Sequence, residues 1–114
     1  RETAEEKVQR LHAAGSLTED EIRSATLRGE RSFVIEALAA LGGLKAPVVQ
    51  KAFNLSTAKG VAAVAWRAGL SADLAHQLQV RLARVAPGDA LKPSGGGFAL
   101  SEKDLNWQLE FLGA

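Results

Sequence analysis

Ser71, Asp73 and His76 are the residues of this chain whose types come nearest to a nucleophile, an orienting carboxylate and a base. A hydroxyl becomes a nucleophile when a base within hydrogen-bond reach takes its proton and a third group holds that base in place. Here all three fall in the first turns of one predicted helix, which fans them around its axis instead of converging them on a shared substrate atom. Ser71 has the type and place of an N-cap, and Asp73 suits the positive end of a helix dipole. The spacing therefore reads as capping. Metal chemistry fares no better, because His12 and His76 are the only histidines, they do not pair at i, i+4 on one helix, and there is no cysteine. Gly95-Gly96-Gly97 is not a phosphate loop, since Phe98-Ala99-Leu100 follows where a Lys-Ser/Thr at a helix start is required. The expectation is a protein with no catalytic residue, no cofactor and no metal, and so not an enzyme.

Binding chemistry is better represented. Ala39-x3-Gly43-Leu44-x4-Val49 has helix-turn-helix spacing and would place a helix over 46–54, with Lys45 and Lys51, in a major groove. The same spacing recurs at Ala65, Gly69, Leu70 and Ala75. A repeated helix corner produces such a duplication without any DNA, and the second helix has few of the outward basic side chains that groove reading needs. Arg67, Arg81 and Arg84, with Lys59, could form a positive strip able to engage carboxylates or phosphates, although most basic helix surfaces are simply solvated. The two tryptophans are harder to dismiss. Trp66 stands where the sister copy has Ala40, so a ring appears where the repeat has a methyl, and something must cover it. Either the C-terminal helix docks there through Trp107 or Phe111, or a second chain does.

The elements that position these groups announce themselves by repetition. Leu17 to Ala25 returns as Leu44 to Ala52 and again as Leu70 to Leu78, a period of 26 to 27 residues, and Val34 to Leu44 aligns with Gly60 to Leu70 without a gap. A period of that size with helical signals in both halves marks stacked helix pairs. Thr3 with Glu6 and Thr18 with Glu21 read as capping boxes, and Gly15, Gly29, Gly42/Gly43 and Gly69 stand where helices should stop. The spacing predicts helices over 3–14, 19–28, 32–41, 46–54, 57–68, 72–85 and 102–112. Those over 32–41 and 57–68 are apolar almost all round and form the spine. In the helix over 72–85, Leu74, Leu78, Leu82 and Val85 face the core while His76, Gln77, Gln79 and Arg84 look outward. Residues 1–86 make a helical-repeat array, 87–100 a flexible Gly/Pro connector, and 101–114 a C-terminal helix that packs on the same domain. That last helix carries Leu105, Leu109 and Leu112 on one side and Trp107 and Phe111 nearly opposite, so one face docks and the other needs a second partner.

The bulk numbers agree with a single soluble helical domain. At 114 residues the chain buries a core without staples. A net charge of +1 argues against nucleic acid as the partner unless a local patch supplies the field. Absence of cysteine fits a reducing cytoplasm. No apolar run reaches the length of a membrane span, and no signal-peptide pattern opens the chain. A start at Arg1 and the lack of any methionine suggest a piece of a longer protein.

Lys59 to Ser71, the following Leu78-Gln79, and Trp107-Gln108-Leu109-Glu110-Phe111 resemble an alphaproteobacterial family of unknown function whose members carry HEAT-like helical repeats. The resemblance runs from about Leu17 onward and implies an α-helical repeat domain, often within a larger chain; it carries over no catalytic residue. Together with the repeat it yields an all-α fold, a HEAT-like stack of short antiparallel helix pairs, six or seven helices in all, with a returning C-terminal helix. The function it favours is a non-enzymatic protein-interaction or scaffolding module in a cytoplasmic bacterial protein. Its partner-binding residues would be Trp66, Arg67, Gln77, Arg81, Arg84, Trp107 and Phe111, and its partner an unidentified protein or a second copy of the chain. The alternative is a nucleic-acid-binding, helix-turn-helix-like domain acting through the basic strip.

Overall fold

The computed structural model describes all 114 residues and contains seven helices and no strand: α1 (Ala4–Ala13), α2 (Glu19–Leu27), α3 (Arg31–Gly42), α4 (Ala46–Asn54), α5 (Ala58–Arg67), α6 (Ala72–Arg81) and α7 (Glu102–Leu112). Five of the seven starts carry hydroxyl caps; α3 and α4 begin after Glu30 and Lys45 without a side-chain cap. Thr3, Thr18, Thr57, Ser71 and Ser101 each accept the backbone N–H three residues on, which satisfies a donor that the first turn leaves free. At Thr3 the box is complete, because the Glu6 carboxylate also accepts the Thr3 N–H at 2.9 Å. At Thr18 only half of the expected box forms: the Glu21 N–H reaches Thr18 Oγ1 at 3.3 Å, and the Glu21 side chain does not return.

The repeat is visible as a repeated corner. Leu44 and Leu70 each stand one residue before an N-cap and donate their N–H to Ala39 O and Ala65 O, both at 3.0 Å. Gly43 and Gly69 precede them at φ 62° and 79°, the left-handed conformation that lets the helix end there and the next begin. Ser56 takes the same place after α4 at φ 50° without being glycine.

α3 and α5 are the spine: α3 packs on α1, α2, α4 and α5, and α5 on α3, α4, α6 and α7. Val34 and Leu38 of α3 and Val61 and Val64 of α5 are fully buried. α2 lies against α6, so the stack wraps its spine within extents of 38 × 26 × 24 Å. α7 lies beside α5, where a Cβ on Gly60 would be in ordinary contact with Leu112 Cδ1 at 3.4 Å; the atom it would strike is Thr57 Cγ2, 2.5 Å away in the cap of α5 itself.

Two sequence expectations are corrected in α6. The helix stops at Arg81 and does not reach residue 85. Ala83 N–H turns back to Leu78 O at 3.0 Å, Val85 N–H to Gln79 O at 2.9 Å, and Arg84 takes φ 59°. The Arg31 guanidinium donates to the freed Leu82 carbonyl at 2.6 Å, so the early end leaves that carbonyl satisfied. Leu82 and Val85 are buried all the same. Gln79, expected to look outward, is fully buried, because residues 87–100 fold back over α6 and the Leu91 backbone takes its amide as partner.

Candidate functional site

α7 had two apolar faces to choose between, and the leucines dock. Leu105, Leu109 and Leu112 are buried, while Trp107 and Phe111 are 59% and 57% exposed. This corrects the expectation that one of these rings completes the core near Trp66: spacing of i, i+4, i+7 gives the leucines one stripe, and a helix packed along it turns the opposite face outward. Trp66 is half-buried against the core without them. The i, i+4 spacing of Trp107 and Phe111 instead brings their rings onto each other, with centroids 5.7 Å apart and planes 10° from parallel.

Charged groups frame the aromatic pair. Lys51 Nζ of α4 stands 5.6 Å from the centre of the Phe111 ring, within cation–π reach. Lys103, Asp104, Asn106 and Glu110 surround Trp107 in a shallow open cleft of about 430 Å³. Large apolar rings ringed by charged side chains are the composition of an interaction hot spot. Sequence reading found the two rings but not Lys103, Asp104 or Glu110, and it named Lys51 only as a groove-facing cation of the helix over 46–54, not as a neighbour of Phe111. The spacing of Lys103, Trp107 and Glu110 along one helical face was the available signal; Lys51 lies on another helix and had none.

The other residues read as partner-binding are dispersed. Arg67 is exposed at the end of α5, its aliphatic stem against Gly42, beside a cleft shared with Lys45 and Val48. Arg84 is exposed beyond α6 in a different cleft, with Arg31, Asn54 and Ser56. Gln77 and Arg81 bond each other on α6, Arg81 Nε donating to Gln77 Oε1 at 2.9 Å. Of the set, Gln77 with Arg81 and Trp107 with Phe111 are in contact as pairs, and only the second pair joins two large apolar rings. Lys51, the cation that a groove-reading α4 would have presented, is over Phe111.

Ser71, Asp73 and His76 do not converge. Ser71 caps α6, accepting from Leu74 N–H at 3.1 Å, and donates its own O–H to Glu19 Oε2 at 2.6 Å and its N–H to Glu19 Oε1 at 2.8 Å. Asp73 accepts from Arg23 at 2.9 Å, and Arg23 also donates to Glu19 at 3.0 Å. The cluster stitches α2 to α6. Burial pushes the Glu19 carboxyl up, but the bonds from Ser71 and Arg23 outweigh it and hold the group below the ordinary carboxylate value. No group of three or more His, Cys, Asp or Glu side chains is arranged to hold a metal ion, and no helix is long and apolar enough to cross a membrane.

Residues 1–95 match a family model described as an uncharacterised protein conserved in bacteria, DUF2336. No curated protein and no solved structure matches the chain. The matched residues cover α1 to α6 and most of the connector, and α7 with its exposed rings lies beyond them.

Proposed function

We propose, from the premise that this chain belongs to the DUF2336 family of proteins conserved in bacteria, that it is a non-enzymatic protein-interaction module whose docking surface is the outward face of α7. The observation that carries this is the stacked Trp107/Phe111 pair, more than half exposed on a helix whose other face is already used for the core. Rings of that size left in water form an adhesive patch, and a protein partner is what removes them from it. Rigidity supports the same reading. α7 is anchored by three buried leucines, so the rings are presented with little ordering left to do on binding. The HEAT-like character of the stack and a cytoplasmic location belong to this proposal too; the first is supported by the matching corners at Leu44 and Leu70. Protein is favoured over nucleic acid because Arg67 and Arg84 line separate clefts instead of one basic strip.

Photo-crosslinking tests it. A crosslinking amino acid placed at 107 or 111 of the intact protein in its source cell is expected to give discrete protein adducts, while the same group at exposed Lys59 gives none. Equal labelling at all three positions, or none at 107 and 111, refutes the docking face. Trp107→Ala is expected to leave thermal unfolding within about 2 °C, since truncating an exposed ring removes little burial.

A further inference from the structure

We infer that the occupant of the α7 face is a second copy of this chain, seated antiparallel along its own α7; this rests on reading that face as a docking surface. The order of charges along the helix is what singles out a copy. At 3.6 residues per turn, the direction opposite Leu105, Leu109 and Leu112 passes within about 15° of Trp107. Lys103 and Glu110 then lie together on one flank of that line. Asp104 and Phe111 lie on the other, where Lys51 stands over the Phe111 ring.

Two identical helices that face each other across a two-fold axis perpendicular to them run antiparallel and bring each flank against the same flank of the copy. Place that axis between Asn106 and Trp107. Lys103 and Glu110 are then equidistant from it, each about 5 Å away at 1.5 Å per residue, so each copy's Lys103 meets the other's Glu110. On the opposite flank, Lys51 beside Phe111 lies on the side where the other copy carries Asp104. Both flanks pair cation with anion in the same register, and Trp107 falls next to the axis, where the two rings cover each other. An isologous interface requires self-complementarity of this kind, whereas an unrelated partner requires none of it.

The area sets the strength. Two large aromatic residues and their charged flanks bury on the order of 500 Å² per copy, below the roughly 800 Å² per partner of a standard interface, so the dimer is one that dissociates on dilution. Sedimentation velocity on the full chain at low salt, from about 5 to about 500 µM, is expected to show the mass rise from 12.0 kDa toward twice that value. Lys103→Glu and Glu110→Lys each make the 103–110 contacts like-charged, and each is expected to weaken association about tenfold. Mixing the two variants restores it, because every 103–110 contact across the mixed pair is then opposite in sign. Trp107→Ala abolishes association with its unfolding midpoint unchanged. A chain that stays at 12.0 kDa throughout, or a mixture that fails to recover, overturns the inference. If the chain is monomeric while crosslinks still concentrate at 107 and 111, the second copy is wrong and the docking face stands; if those crosslinks are absent too, both fall.

Discussion

Replacing Gln79 by alanine tests whether one buried amide ties the returning connector to the stack. Its Nε2 donates to Ala75 O and Leu91 O, both at 3.2 Å, and its Oε1 accepts the Leu91 N–H at 2.7 Å. Alanine removes all three bonds, leaves both Leu91 backbone groups without a protein partner and opens a hole the size of the lost side chain. A buried polar group so orphaned costs about 1–3 kcal/mol. Leu91 is half-buried, so water reaches part of it and the low end applies to each group, roughly 2 kcal/mol together. The cavity adds roughly 1 kcal/mol. A loss of about 3 kcal/mol in a domain of this size lowers the unfolding midpoint by roughly 10–15 °C. Circular dichroism reads the midpoint, and hydrogen exchange at the Leu91 amide reads the local release. Gln79→Glu sharpens the test: it loses the donor and buries a charge at neutral pH, then regains an O–H donor as the solution is acidified, so its deficit relative to the parent should shrink. A midpoint within about 2 °C of the parent for Gln79→Ala, with Leu91 exchange unchanged, refutes the clamp.

Leu38→Ala is expected to cost about 2–5 kcal/mol and Val64→Ala about 1–3 kcal/mol, because both are fully buried at equivalent places in the two spine helices; unchanged denaturant midpoints would remove that equivalence. Ser56→Gly is expected to gain about 0.5–1 kcal/mol, since a non-glycine residue at φ 50° carries a penalty that glycine does not, and a lower midpoint would show that its side chain does more than occupy the turn. For Glu19 the sign follows from its folded-state value lying below the ordinary 4.5: the α2–α6 link stabilises the protein above that pH and is lost as pH falls through the lower folded value. Glu19→Gln should therefore be less stable than the parent at pH 7 and nearly equal to it once both are fully acidified, and an equal gap at both ends would refute the linkage.

The corners were legible because each is written in local residues: a glycine able to take positive φ, then leucine, then a capping hydroxyl or a helix start. Six helices consequently end within about a residue of where their spacing puts them. α6 is the exception. Its apolar period continues through Leu82 and Val85, both of which are buried, so periodicity reported burial correctly while the backbone had already left the helix. The capture of Leu82 O by Arg31 spans 51 residues of sequence and has no local trace. Gln79 fails for the same reason, since its partner is a backbone segment 12 residues on whose return over α6 nothing near Gln79 encodes. In α7 the two-faced pattern was plain, but which face docks depends on the surface it meets, and Gly60 is part of that surface.

That choice of face ties the fold to the function proposed for it. Trp107 and Phe111 together offer about as much apolar area as Leu105, Leu109 and Leu112, so burial alone does not choose between the two faces. The surface that meets the leucines includes small residues, with Gly60 at contact distance from Leu112 and Ala62 lining one apolar pocket with Leu105, so branched aliphatic side chains come to close range there. An indole pressed into that space would hold the helices apart and forfeit contacts along the whole of α7. Docking along the leucine stripe turns the aromatic pair outward, and the same buried leucines fix its orientation. The exposed rings are a consequence of which stripe of α7 docks, and that docking is also what would make them a rigid surface for the partner proposed here.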